Sequence, residues 1–410
     1  MNNFETNLQQ YAELAVKVGV NVHPGQTLVV NAPISAAHFV RLIVKAAYGT
    51  GAKLVKVNWS DEVITRLHYD LAPEESFSIE PKWFAGEMTE LVEEGAAILH
   101  VIAENPDLLA GVPQERIVTS QKVRGKAMEK YRSYQMADKF SWSIVAVPSP
   151  EWAAKVFPDL PAEQQIDKLW DVIFKTVRIG EQDAVAEWKT HLLNLDSRAD
   201  LLNEKKYKKL HYTAPGTDLT IELPEGHLWV SGGSINEQGH VFVANMPTEE
   251  VFTAPLKTGV NGTVRSTKPL SYGGNLIDGF SLTFENGRIV DYTAEQGLDS
   301  LKSLIEMDEG AHYLGEVALV PHQSPISDTN ILFYNTLFDE NASNHLAIGN
   351  AYAFCLEGGK TMSKDELISH GMNSSLTHVD FMIGSGEMNI HGVTSEGSEE
   401  PIFLQGNWAF

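Results

Sequence analysis

Residues 27–59 read TLVVNAPISAAHFVRLIVKAAYGTGAKLVKVNW, and this stretch sets the architecture of the first half of the chain. TLVVNAP is an apolar run of strand length, AAHFVRLIVKAAYGTG has apolar residues at helical spacing and ends at glycine, and KLVKVNW is a second strand. Two strands joined through a helix of this length call for a crossover connection, and crossovers build parallel sheets. The flanking sequence repeats the pattern. LQQYAELAVKVGV precedes it as an amphipathic helix, and AAILHVIA and WSIVAVP follow as strands, with the long helical segment ERIVTSQKVRGKAMEKYRSYQMAD between them. Prolines near the openings of SPEWAAKVFP and LPAEQQIDKLWDVIFKTV mark breaks followed by fresh helices. The expectation is an α/β N-terminal domain with a mainly parallel sheet.

The pattern changes around residues 200–215. DSRADLLNEKKYKKL reads as a polar helix, and HYTAPGTDLTIELPEGHLWVSGGS then switches to short extended runs broken by Gly and Pro. In FSLTFENGRIVDYTA, ENG between alternating segments is a hairpin signal. One helix is expected near DSLKSLIEMDEGAHYLG. The expected division is residues 1–210 as the N-terminal α/β domain and 211–410 as a largely β (α+β) C-terminal domain.

Charge divides along the same line. The formal net charge is −23; residues 1–210 hold 24 Lys or Arg against 28 Asp or Glu, and residues 211–410 hold 7 against 26. Nine of the 14 histidines are in the second part. An acidic chain lacks the positive footprint of a nucleic-acid binder. No apolar run reaches membrane-spanning length and no secretory signal opens the chain, so neither membrane nor nucleic acid is an expected partner. The single cysteine, Cys355, lies in apolar AYAFCLE; it excludes an intrachain disulfide framework and is read as a core thiol in a reducing cytoplasm. There is no GxGxxG opening a helix, Walker A, HExxH or G-x-S-x-G pattern, and the basic stretch Arg116–Arg132 reads as a solvated helix face.

Excess carboxylates repel one another, and bound divalent cations relieve part of that repulsion. Six acid and imidazole residues sit among apolar and glycine-rich segments: Glu250, Glu316, Glu340, His345, His378 and Asp380. THVDFMIG has strand character, so His378 and Asp380, two apart, project from one face with Val379 on the other. Glu316 lies inside the apolar run LGEVALVP, where a free carboxylate is costly unless paired, protonated, exposed or metal-bound. Glu250 follows MPTE; if this is a strand, its neighbour Glu249 faces elsewhere. Glu340 and His345 flank the turn-like DENASN. Tyr352 returns to the side of His345 if the intervening stretch is helical, and there it is either a core tyrosine or an oxyanion donor. Four carboxylates and two imidazoles suit two metal ions sharing a carboxylate better than one four-ligand site, and a paired site fits a hydrolase.

In MPTEEVFTAP, TGVNGTVRSTKPL, LGEVALVP, TLFDENASNHLAIGNAY and THVDFMIGSGEMNIHG, the chain closely resembles the M29 family of metallo-aminopeptidases, the aminopeptidase T, PepS and AmpS group. The resemblance implies a cytoplasmic homodimer that removes N-terminal residues from peptides with a free N-terminus. It implies two divalent metal ions per chain, drawn from Zn, Co, Mg or Mn, that activate a water between them. Glu250 corresponds to the first ligand, Glu316 to the bridging carboxylate, Glu340 and His345 to further site residues, His378 and Asp380 to the closing ligands, and Tyr352 to a tyrosine lining the site. Glu316 is then the first choice to carry the proton to the departing amine. Glu340 takes precedence if coordination leaves Glu316 too poor a base. One metal, or an acidic side chain such as Glu249 or Asp339, could receive the free α-amino group, and Tyr352 the oxyanion. A different metal-dependent amidohydrolase and a non-catalytic metal-binding scaffold are the alternatives.

Overall fold

Strand β1 (Thr27–Pro33) is buried along nearly all of its length, with Leu28, Val29 and Val30 fully covered. It pairs in parallel with β2 (Leu54–Ser60) on one side and β3 (Ala97–Ile102) on the other. β3 pairs in parallel with β4 (Trp142–Ala146), so the order is β2-β1-β3-β4. The Asn245–Met246 strand adds in parallel outside β4. The helix Ala37–Gly49 connects β1 to β2 and buries Phe39, Val40, Ile43 and Ala47, which recur on one face at helical spacing.

These elements come from a computed structural model that describes residues 3–103, 105–180, 183–273 and 275–410. The chain forms two compact units, Met1–Leu192 with Gly233–Pro247, and Leu193–Gly232 with Thr248–Phe410. The first holds the parallel sheet, to which residues 245–246 return.

Three local expectations are corrected. The long helical segment is two helices, Gln114–Ala127 and Glu129–Met136, because Met128 leaves helical geometry and turns into the core beside Tyr131, Ile98 and Trp142. The first helix runs from Asn3 to Leu14 and continues as a π-turn over Ala15–Gly19. The polar helix stops at Lys205; Lys206 takes a positive φ of 48°, and a strand begins at Lys209.

The second unit contains an eight-stranded sheet whose paired strands run antiparallel. The ENG hairpin joins Ser281–Glu285 to Arg288–Thr293 through Asn286 (φ 49°) and Gly287 (φ 83°), the paired positive angles of a tight hairpin turn. A Cβ on Gly287 would lie 1.8 Å from the Lys257 carbonyl oxygen, so only glycine fits there.

A separate four-stranded antiparallel sheet consists of β5 (Val251–Thr253), β6 (Leu314–Leu319), β7 (His345–Gly349) and β8 (His378–Met382), in that order. One face supplies Val317, Leu319, Leu346, Ile348 and Phe381 to the core, with Val379 packed against it. Each such large apolar side chain, fully buried, contributes about 1.5–3 kcal/mol. The other face is left for polar chemistry. No helix among the described residues is long and apolar enough to cross a membrane.

Candidate metal centre

Strand register explains how residues distant in sequence meet. Glu316 of β6 pairs with Ala347 of β7, which pairs with Asp380 of β8. One row along, Ala318 pairs with His345 and His345 with Met382. On the other side Gly349 pairs with His378. Cross-strand partners share a face and side chains alternate along a strand, so Glu316, His345, His378 and Asp380 project from the face opposite the apolar core. Glu250 immediately precedes β5, whose Thr253 pairs with Val317. The expected strand geometry of His378 and Asp380 is present: their Nε2 and Oδ1 atoms are 3.4 Å apart.

The Glu316 carboxylate stands between two imidazoles. Its Oε1 is 3.4 Å from His345 Nε2, and its Oε2 is 3.6 Å from His378 Nε2. Glu250 Oε2 is 3.1 Å from the same His345 nitrogen. Two triads result, Glu250–Glu316–His345 and Glu316–His378–Asp380, with Glu316 common to both. The first is the deeper: the side chains of His345 and Glu250 are 1% and 10% exposed, whereas those of His378 and Asp380 are 15% and 14% exposed.

Both imidazoles are oriented from behind. His345 Nδ1 lies 3.1 Å from the Ser343 carbonyl oxygen and His378 Nδ1 lies 2.7 Å from that of Asn350. A carbonyl only accepts, so each Nδ1 carries the proton and the Nε2 lone pair of a neutral ring points into the cluster.

Burial and mutual charge displace the titrations. Burial raises Glu316 to about 7; the hydrogen bond with His345 opposes this and the Asp380 charge adds to it. Burial also raises Glu340 well above the usual carboxylate range, reinforced by Asp380 and Glu250. For His378, burial works downward, but Asp380 and Glu316 prevail and lift it to about 9. His345 is likewise raised against the effect of burial, chiefly by Glu250 and Glu316.

This donor set fits divalent cations. The principal charges acting on Glu316 and Glu340 are carboxylates and imidazoles. Asp380 Oδ1 is buried and makes no hydrogen bond. Buried carboxylates crowded together are expensive, and bound divalent cations would satisfy them.

The remaining sequence candidates take different places. Glu340 is buried in a turn beside the cluster and belongs to neither triad. Tyr352 reaches the site without the helix that was its premise: residues 345–349 are β7, and the chain then bends so that the Tyr352 ring centroid is 4.8 Å from that of His378. Burial, then the charges of Glu316 and Asp380, hold its hydroxyl far above the ordinary tyrosine pKa, so it remains a donor. Glu249 is buried, and its backbone N–H donates to Asn341 Oδ1. Asp339 uses both carboxylate oxygens within its own loop, accepting from Phe333 N–H at 2.9 Å and Asn335 N–H at 3.1 Å. Cys355 is buried beside Phe354, Leu356 and Met372.

Sequence reading missed the residues that position this cluster: Ala347 between Glu316 and Asp380, and the Ser343 and Asn350 carbonyls behind the imidazoles. Gly349, at φ 112°, brings its Cα close to the Thr377 carbonyl oxygen, where a Cβ would lie 2.2 Å away. Only the strand pairing, which no local pattern carries, would have identified them.

Among known proteins, residues 4–408 match the family model described as thermophilic metalloprotease (M29). The chain is 59% identical over 410 residues, covering 100% of both proteins, to aminopeptidase AmpS of Bacillus subtilis (strain 168). It is 56% identical over 410 residues to aminopeptidase 2 of Geobacillus stearothermophilus, covering 100% of this chain and 99% of that protein. The solved structure of wild-type AmpT from Thermus thermophilus matches with a TM-score of 0.92 at 41% identity, covering 99% of this chain and 100% of that one.

Proposed function

The chain belongs to the M29 family of thermophilic metalloproteases, and from that premise we propose that it is an aminopeptidase that hydrolyses the N-terminal bond of peptides with a water activated between two divalent ions. The observation that carries this reading is the shared carboxylate: Glu316 offers one oxygen toward His345 and the other toward His378. Glu250 and His345 would hold one ion, His378 and Asp380 the other, and Glu316 both. When bound, such ions supply Lewis acidity and lower the pKa of water. The set of carboxylate and imidazole donors suits Zn, Co, Mn or Mg.

The chain's own groups then divide the work. With both Glu316 oxygens committed, Glu340 is the better proton carrier: buried, raised in pKa and outside both triads, it takes a proton from the attacking water and returns it to the departing amine. Tyr352 donates its hydroxyl proton in a hydrogen bond to the developing oxyanion. Glu249, buried next to Glu250, offers a carboxylate to the free α-ammonium group, a role closed to Asp339 by its loop hydrogen bonds. In the same reading residues 211–410 form the catalytic, metal-binding domain and residues 1–210 the other. The family resemblance supports a homodimer, and the lone, buried cysteine agrees with a reducing cytoplasm.

An aminoacyl reporter tests the proposal. The protein should release the reporter from a free aminoacyl group, stop on chelation, resume with added Zn, Co, Mn or Mg, and leave the N-acetylated compound intact. Equal cleavage of the blocked compound would exclude an aminopeptidase.

A further inference from the structure

The stretch TGVNGTVRSTKPL ends in a turn, residues 266–269, that is tied to the strand carrying Asp380. Thr267 N–H donates to the Met382 carbonyl oxygen at 2.9 Å, and the Thr267 hydroxyl donates to that of Gly384 at 2.9 Å. Met382 is the register partner of His345. Gly384 N–H donates to Ser343 Oγ at 2.8 Å, and the Ser343 carbonyl is the group that orients His345. On the other side, Ser266 and Phe280 exchange hydrogen bonds of 2.8 and 3.0 Å. Pro269 confines the backbone of Lys268 to extended conformations. The stem of Lys268 therefore starts from a fixed point next to the metal centre.

The Lys268 side chain makes no ion pair among the described residues, although burial is enough to lower its pKa, with Asp339 the charge that opposes the shift. Asp339 precedes Glu340 and spends both oxygens on the backbone of its own loop. Lys268 is thus a part-buried cation with uncommitted N–H donors, close to a centre whose other charged groups are carboxylates and imidazoles. A partly desolvated ammonium without a partner is unfavourable, and an anionic ligand would relieve it.

We infer that Lys268 is a specificity residue whose ammonium binds the C-terminal carboxylate of a dipeptide or similarly short peptide. This rests on the aminopeptidase reading. In a dipeptide the free carboxylate belongs to the residue after the scissile bond, about 3.8 Å from Cα to Cα. The cation that receives it must lie beside the metal centre rather than within it. Thr267, bonded to Met382 on the strand that carries Asp380 and to Gly384 just beyond it, sets the adjoining Lys268 beside the centre in this way.

The test compares kcat/KM for a dipeptide and its C-terminal amide. The wild-type protein should prefer the free acid by roughly tenfold or more, the range of a hydrogen bond to a charged group. In Lys268→Met this ratio should fall towards one, mainly through KM of the acid, and Lys268→Arg should recover part of it. A wild-type ratio near one overturns the inference without recourse to a variant, and so does a Lys268→Met protein in which acid and amide fall equally. A wild-type protein that cleaves neither compound, nor any longer free peptide, would instead fail the aminopeptidase reading and this inference with it.

Discussion

Ala347 and Asp380 are register partners on β7 and β8, and the methyl group of Ala347 is all that stands on the sheet between Asp380 and Glu316. A large side chain there would occupy the space where the two carboxylates converge. Ala347→Leu should fold with a loss of about 1–3 kcal/mol, the usual penalty of overpacking, but retain little bound metal. Thermal melts alongside metal analysis check this. Full metal content in a folded Ala347→Leu protein would contradict it.

Glu316→Gln removes the charge common to both triads while keeping nearly the same shape. Its expected effect is loss of turnover by a factor on the order of a thousand or more, the range seen when a principal electrostatic group is removed, with fewer ions per chain and an unchanged far-ultraviolet spectrum. Activity near the wild-type level would remove Glu316 from its central position.

Glu340→Gln should behave differently. The five triad residues remain, so metal content should hold while kcat falls by about 10²–10⁴-fold, the contribution typical of general acid–base catalysis. Loss of metal together with activity would make Glu340 a ligand instead of the proton carrier.

The ion-free protein should lose stability as pH rises. His378 has its folded pKa raised to about 9 from an ordinary 6.5, so its protonated form stabilises the fold fully below 6.5, and that stability is lost as pH climbs through 9. Glu316, raised from 4.5 to about 7, acts in the same direction between those values, because ionisation is less favourable in the fold. Melts of chelated protein should therefore fall in Tm between pH 5 and pH 9. Metal-loaded protein should resist this, and loading at neutral pH should release protons. Parallel pH profiles with and without metal would contradict the assignment.

Much of the first unit was legible because inner parallel strands such as TLVVNAP are continuous apolar runs and the helix after β1 repeats its apolar residues at helical spacing. The hairpin at Asn286–Gly287 was equally local. His378 and Asp380 could be paired because a strand's side chains alternate, a rule that needs only five residues. LAIG, after His345, is a short apolar run that serves helix or strand equally well, and the register of β7 decided for the strand. Ala347 and the return of residues 233–247 to the first unit depend on pairing between distant segments. A break at Met128 carries no Gly or Pro signal at that residue, and only the core it enters explains it.

The shared role of Glu316 is tested most directly by an anomalous difference map from crystals loaded with a divalent transition metal. Two peaks per chain are predicted, one beside Glu250 and His345 and the other beside His378 and Asp380, with the Glu316 carboxylate between them. A single peak, or peaks away from Glu316, would contradict the two-ion centre.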